Sequence, residues 1–213
     1  MAVITISREV GSFGTEISQR LAKSLNYAFI DKEIIGQVLK QYGLLKFHEV
    51  YEKEPSIWSQ FDAEDKQHIK MLNRTILAFA KQDNTVLLGR GGFVLLHPYP
   101  NVLNIRIQAP FAYRVQQIKK METIHDDDEA EAFIRERDQI RRGFLQTFYD
   151  VKWEETTLLN LVIDTSRIPI DMAVKWILEA ARALEAQELD PKTTTQSIEV
   201  DEVLAKTVAQ IQD

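Results

Sequence analysis

The sequence predicts an α/β fold: a mostly parallel β-sheet between two layers of helices, three layers in all. Two patterns carry that prediction. Short β-branched and aliphatic runs alternate with longer stretches whose apolar residues recur every three or four positions, the order of successive βαβ units. Two glycine-bearing turns and an aspartate, Asp164, fall where predicted strands end, and open parallel sheets bind ligands at the carboxyl ends of their strands.

The elements follow in order. Residues Ala2 to Ser7 alternate through Val3, Ile4, Thr5 and Ile6 and read as a buried strand. Gly11 and Gly14 then make a turn, and Ile17, Leu21 and Leu25 recur at helical spacing. Tyr27 to Ile30 is a second short strand. Asp31 follows it and can cap a helix starting at Lys32, with Ile34, Ile35, Val38 and Leu39 apolar. Residues 44–61 mix aromatics with charge and read as irregular. Ala63 to Lys81 is a long helix with Ile69, Leu72, Ile76, Leu77 and Phe79 toward the core. Thr85 to Leu88 is a strand that runs into Gly89-Arg90-Gly91-Gly92. Val102 to Ile107 is another, and Ala109-Pro110 opens a helix. Asp126 to Tyr149 is a highly charged helix, Leu161 to Asp164 the last strand, and Pro169 to about Ala186 the helix after it. Residues 1–186 thus read as one domain. Residues 187–197, with Pro191 and three threonines, read as a linker. Residues 198–213 carry an amphipathic helix whose stripe of Val200, Leu204, Val208 and Ile211 packs either on its own domain or on a second copy, giving a homodimer.

A chain of 213 residues suits one elaborated domain. Hydrophobic residues at 45% and charged residues at 27% are ordinary for a soluble globular protein. No apolar run approaches the roughly 18 residues of a membrane span, and the N-terminus has no basic region or cleavage site of a signal peptide. The expected location is the cytoplasm, with no membrane partner. The absence of cysteine excludes a disulfide scaffold and a thiolate zinc site. No two of His48, His68, His97 and His125 are four residues apart, so a helical two-histidine metal site has no support. A net charge of −6 argues against a nucleic-acid partner, yet a few arginines in a cleft can still hold a phosphate locally.

Three segments carry candidate chemistry. The first is Ser7-Arg8-Glu9-Val10-Gly11-Ser12-Phe13-Gly14-Thr15-Glu16. A glycine turn between strand and helix aims backbone N–H groups at a phosphate, and the helix dipole adds to the attraction. No lysine follows Gly14, so the GxxxxGK[ST] pattern is not met. The second is Gly89-Arg90-Gly91-Gly92, where glycines permit close approach and Arg90 offers a planar fork for a phosphate. The third is Arg135-Glu136-Arg137-Asp138 followed by Arg141-Arg142. Arg137 and Arg141 share a helix face and can clamp phosphoryl oxygens. The plainer reading of that helix is a solvated surface with pairs Glu131–Arg135 and Asp138–Arg142.

In this order the segments resemble the cytidylate-kinase-like branch of the nucleoside monophosphate kinases, from Val3 to about Arg182. The stretches ITISREVGSFGTEI, LLGRGG, IRIQAP, RERDQIRR and LVIDTSRI, with Asp31 before a helix, carry the resemblance. It implies a P-loop NTPase-like fold with a helical lid at about 126–149 and nucleotides as partners. It implies that Gly11, Ser12, Phe13, Gly14 and Thr15 form the loop for the ATP triphosphate, with Mg²⁺ accompanying it. Asp31 and Arg90 would face the acceptor monophosphate, and Arg137 and Arg141 would act from the lid. Asp164, Thr165 and Ser166 would end the last strand near the base, in a structural role. The departures fall on named positions. Gly14 aligns with the loop lysine of the related enzymes, and Thr15 and Glu16 with the residues after it. Gln37 stands at an acceptor-binding arginine, and Arg141 and Phe144 at an aspartate and an arginine that contact the acceptor. Arg8 is the only basic residue between Met1 and Arg20, so it is the candidate to supply the missing catalytic charge, with Glu9 or Glu16 holding it in place or helping to bind Mg²⁺. The expected function is ATP-dependent phosphotransfer to a small phosphorylated acceptor, a nucleoside monophosphate. The alternatives are a non-catalytic nucleotide-binding or regulatory module on the same fold, or an assembly protein using its C-terminal helix.

Overall fold

The computed structural model describes residues 2–44 and 63–212; the stretch expected to be irregular falls almost entirely outside the described residues. Five strands form one sheet: β1 (Val3–Arg8), β2 (Ala28–Ile30), β3 (Thr85–Leu88), β4 (Val102–Gln108) and β5 (Leu161–Asp164). Their order is β2-β3-β1-β4-β5 and every pairing is parallel. The central strand is β1, with Val3 in register with Thr85 on one side and Val102 on the other. Parallel neighbours need crossover connections, and helices supply them.

The pleat sorts β1 into two cores. Val3 faces a cluster with Ile35, Leu39, Leu72, Ile76, Phe79 and Leu87, under α2 (Lys32–Gln41) and α3 (Ala63–Lys81). Ile4 and Ile6 face the other cluster, with Ile17, Leu21, Ile105, Ile107 and Ile177, under α1 (Gly14–Leu25) and the late helix over Ile170–Glu185. Burial of β1, β3 and β4 on both faces is why these strands read as largely aliphatic runs. The architecture is the expected three-layer one, a parallel sheet between two layers of helices.

The helix termini explain the boundaries. Asp31 caps α2 by accepting the N–H groups of Glu33 at 3.0 Å and Ile34 at 3.1 Å. Asn26 ends α1 in the left-handed region, φ 56°, which asparagine tolerates better than most residues. After a short α4 (Gly92–Leu95), α5 spans Phe111–Met121 and α6 Asp127–Tyr149, with Asp126 capping α6 through the Glu129 N–H. Despite its charge, α6 is not solvated all round. Ala130 and Ile134 pack on Val115 and Ile118 of α5, while Phe144 and Leu145 enter the main core.

Beyond α7 (Ile170–Glu185), the segment 187–197 contains two 3-10 turns, Pro191–Thr193 and Thr195–Ser197. It is tied to the domain. Buried Thr195 donates its N–H to Asn101 and its hydroxyl to Asp83, at 3.0 and 2.9 Å. Asp201 then caps α8 (Glu202–Gln212) by accepting the Leu204 N–H, so this helix starts later than Ile198. Leu204 and Val208 join the core beneath α2 and α3, and the apolar stripe therefore packs on its own chain. No helix among the described residues is long and apolar enough to cross a membrane.

Candidate active site

The loop after β1 is held in shape by its own side chains. Ser12 is fully buried, and its hydroxyl donates to the carbonyls of Glu9 at 2.8 Å and Ile107 at 3.1 Å. Thr165, after β5, donates its hydroxyl to the Ser12 carbonyl at 3.0 Å. Ser12 therefore contributes anchoring to the loop through its side chain. Gly11 has φ +78°, and a Cβ there would sit 2.9 Å from the Arg114 carbonyl oxygen, so the turn demands glycine twice over. Phe13, φ 61°, is the N-cap of α1 and makes no side-chain cap. The first N–H groups of α1, from Gly14, Thr15 and Glu16, are left for an anion.

Arg8 lies across this loop. A Cβ on Gly14 would clash with the Arg8 Cβ and lie 2.8 Å from its Cγ, and a Cβ on Gly89 would meet the Arg8 Nη1. The side chain thus runs over the start of α1 and ends against the turn after β3. The two carboxylates expected to steady it have other partners. Glu9 accepts the Ala109 N–H at 3.1 Å and lies 3.4 Å from Arg114. Glu16 pairs with Arg20, which also binds Asp171 at 2.7 Å.

The turn after β3 has three consecutive left-handed residues: Gly89 at φ +78°, Arg90 at 56° and Gly91 at +74°. A side chain at 91 would enter the Tyr149 ring, 2.8 Å from Cζ. Arg90 is held in a conformation that costs a non-glycine residue on the order of 1 kcal/mol, and such strain collects at ligand sites. Its side chain is 6% exposed.

On α6, Arg141 donates to the Arg137 carbonyl at 3.1 Å, and the Arg137 guanidinium sits 4.5 Å over the Phe133 ring. Of the two pairs expected along this helix, Glu131–Arg135 forms at 2.9 Å, but Asp138–Arg142 does not. Asp138 points inward, buried, and binds Arg114 of α5 at 2.7 Å; Arg142 pairs instead with Glu154. Arg114 also donates to the carbonyls of Ala109 and Val10. A chain of charges, Glu9–Arg114–Asp138–Arg141, therefore links the loop to the helix, its last gap being 3.7 Å. Sequence spacing offers no sign of it, because Arg114 and Asp138 each look like ordinary helix-surface residues.

Two of the cavities that open on this assembly share three arginines. One, of about 340 Å³, is walled by the loop residues Gly11, Phe13, Gly14 and Thr15 with Arg8, Arg137 and Arg141. The other, of about 130 Å³, is walled by Lys32 and Arg90 with the same three arginines. Asp31 caps α2 through its Oδ1, and its neighbour Lys32 lines the smaller cavity. Asp164 accepts the N–H and hydroxyl of Ser166 at 2.8 and 2.7 Å, a turn-stabilising role.

Residues 3–167 match the cytidylate kinase-like family. The chain belongs to that family. Among its relatives are the cytidylate kinase of Pyrobaculum islandicum, 25% identical over 182 residues that make up 84% of this chain and 92% of the relative. That of Methanosarcina acetivorans is 29% identical over 167 residues, 77% of this chain and 87% of the relative. A solved structure of an uncharacterized protein from Eubacterium ventriosum superposes with a TM-score of 0.69 at 19% identity, covering 86% of this chain and 99% of that one. This last likeness concerns the fold. The family match spans all five strands, the loop after β1 and the arginines of α6.

Proposed function

We propose that the protein is an ATP-dependent phosphotransferase of the cytoplasm that passes a phosphoryl group to a nucleoside monophosphate. One observation carries this reading: a loop cavity and a smaller basic cavity share Arg8, Arg137 and Arg141 as common walls. A donor phosphate on the N–H groups at the start of α1 and an acceptor phosphate against Lys32 and Arg90 would meet at those arginines. The relatives named cytidylate kinase support the reaction class.

Such a reaction needs positioning and charge neutralisation rather than a covalent intermediate. An acceptor phosphate oxygen attacks the γ-phosphorus in line as the bond to the β,γ-bridging oxygen breaks, and that oxygen leaves on ADP. Arg8, at the junction, holds the transferring oxygens where related enzymes use the loop lysine. Arg137 and Arg141 close on them from α6. Mg²⁺ would supply further neutralisation of the phosphates. The residues fit an ion carried mainly by the nucleotide and water. Glu9, Glu16 and Glu122 line the loop cavity, the first two are engaged, and the described residues hold no cluster of three or more metal-ligating side chains.

The reading is tested by incubating the protein with ATP, Mg²⁺ and each nucleoside monophosphate in turn and following ADP. Acceptor-dependent ADP release is expected; a nucleotide-binding protein with no ADP release for any acceptor contradicts it. The acceptor assignment has its own test. Arg90→Ala removes a charge-assisted contact and is expected to weaken acceptor binding by about 2 kcal/mol, roughly thirtyfold, while leaving ATP affinity nearly unchanged. Calorimetry showing equal losses for both nucleotides would remove Arg90 from the acceptor site.

A further inference from the structure

Helix α7 covers one face of the sheet and turns another face outward. Ala173, Val174, Ile177 and Ala181 are buried on its core side. Asp171, Met172, Lys175, Trp176, Glu179 and Arg182 are exposed on the other. Met172 and Trp176 stand one helical turn apart and keep 41% and 43% exposure. Single apolar side chains scattered on a surface are ordinary, but two that adjoin, one of them a tryptophan at mid-helix, leave an apolar strip in water. The chain's last element does not cover it. α7 packs on α1 and β4, whereas α8 spends its apolar stripe on the opposite helical layer, against α2 and α3.

The charges around the strip are ordered. Along the solvent side the helix reads acid, base, acid, base, at Asp171, Lys175, Glu179 and Arg182. When a second copy of α7 is laid antiparallel about a twofold axis beside Trp176, each charge meets its opposite. Lys175 lies opposite Glu179 of the second copy and Asp171 opposite Arg182 of the second copy, and each pair occurs twice. A twofold interface must be complementary to itself, and a charge order that inverts about its midpoint has that property. A parallel pair in register would set like charges together. Trp176 and Met172 supply the apolar centre and the charges the rim, which is how protein interfaces are built. The ion pairs already present leave room for this. Lys175 and Glu179 are 4.0 Å apart with side chains 66% and 62% exposed, a pair worth little. Asp171 binds Arg20 at 2.7 Å through one oxygen, and its side chain is still 90% exposed.

We propose that α7 is the interface of a homodimer, in which two copies pair through antiparallel α7 helices with Trp176 at the axis and Lys175–Glu179 pairs beside it. One face of a 16-residue helix, about 24 Å long, offers less than the roughly 800 Å² per partner of a standard interface. The dimer is therefore in equilibrium with the monomer and forms at roughly tens of micromolar. Met172, Lys175, Trp176 and Glu179 line neither phosphate cavity, and the match to the family ends at residue 167, before α7 begins. The dimer goes beyond the phosphotransfer reading and holds with or without it.

Sedimentation equilibrium of the full chain, from about 1 to 300 µM, spans the expected dissociation constant. The wild-type mass is expected to rise from one chain toward two across that range. Trp176→Glu stays monomeric throughout. Lys175→Glu and Glu179→Lys each weaken the dimer roughly tenfold or more, because each sets like charges opposite one another twice. An equimolar mixture of these two variants recovers association as a heterodimer, since one is then acidic and the other basic at both contact positions. Melting temperatures in dilute solution, where all the proteins are monomers, are expected to agree within about 2 °C for the charge variants, as suits an exposed ion pair. A wild type that stays monomeric to about 300 µM overturns the proposal. So does a dimer that Trp176→Glu leaves intact, and so does a mixture of the charge variants that associates no better than either alone.

Discussion

Arg8→Ala is expected to lower turnover by about a hundredfold, the usual effect of losing one transition-state donor, with little change in melting temperature. Arg8 leaves β1 beside the loop, crosses Gly14 and ends against Gly89, at the junction of the two cavities. Position 14, where the resemblance puts a loop lysine, is crowded by Arg8. A Cβ at position 14 and the Cβ of Arg8 would claim the same space, so the site accommodates one cationic side chain or the other. Gly14→Lys alone is therefore expected to impair both folding and turnover. Arg8→Gly combined with Gly14→Lys clears the clash and is expected to recover part of the activity lost in Arg8→Ala. Steady-state kinetics of the three variants checks this; unchanged turnover in Arg8→Ala removes Arg8 from the chemistry.

Asp138→Ala is expected to destabilise the protein by about 3 kcal/mol, because breaking a buried pair strands the remaining charge. Asp138 and Arg114 are both nearly inaccessible and meet at 2.7 Å. For a chain of this size such a loss lowers the melting temperature by roughly 10 °C. Thermal denaturation checks it, with Arg142→Ala as the control, since its ion pair with Glu154 is exposed and worth under about 1 kcal/mol. A melting temperature within a degree or two of wild type would mean that Arg114 is satisfied by Glu9 and the Ala109 and Val10 carbonyls alone. The same variant loosens the link between loop and helix, so its turnover falls more than Arg142→Ala's.

The sheet was legible because double-sided burial of its inner strands writes itself as aliphatic runs, and α3 because Ile69, Leu72, Ile76 and Phe79 keep helical spacing within its nineteen residues. Asp31 was legible as a cap because that signal is local. What escaped depends on contacts distant in sequence. Asp138 reads as one more charge on α6, and only Arg114, 24 residues earlier, turns it inward. Residues 187–197 look like a linker because Asn101 and Asp83, which tether Thr195, lie far upstream. Arg90, Arg137 and Arg141 stand out by a glycine turn and helix spacing, and Arg8 as the only basic residue before Arg20, but their gathering around shared cavities is a property of the fold, and so is the arrival of Lys32 beside them.

Transfer of label from γ-³²P-ATP to nucleoside monophosphates, in the presence of Mg²⁺, tests the central claim most directly. The expected result is labelled nucleoside diphosphate from at least one acceptor, formed in step with ADP and reduced about a hundredfold in Arg8→Ala. Tight ATP binding with no labelled diphosphate from any acceptor would contradict it and leave a nucleotide-binding module on a kinase fold.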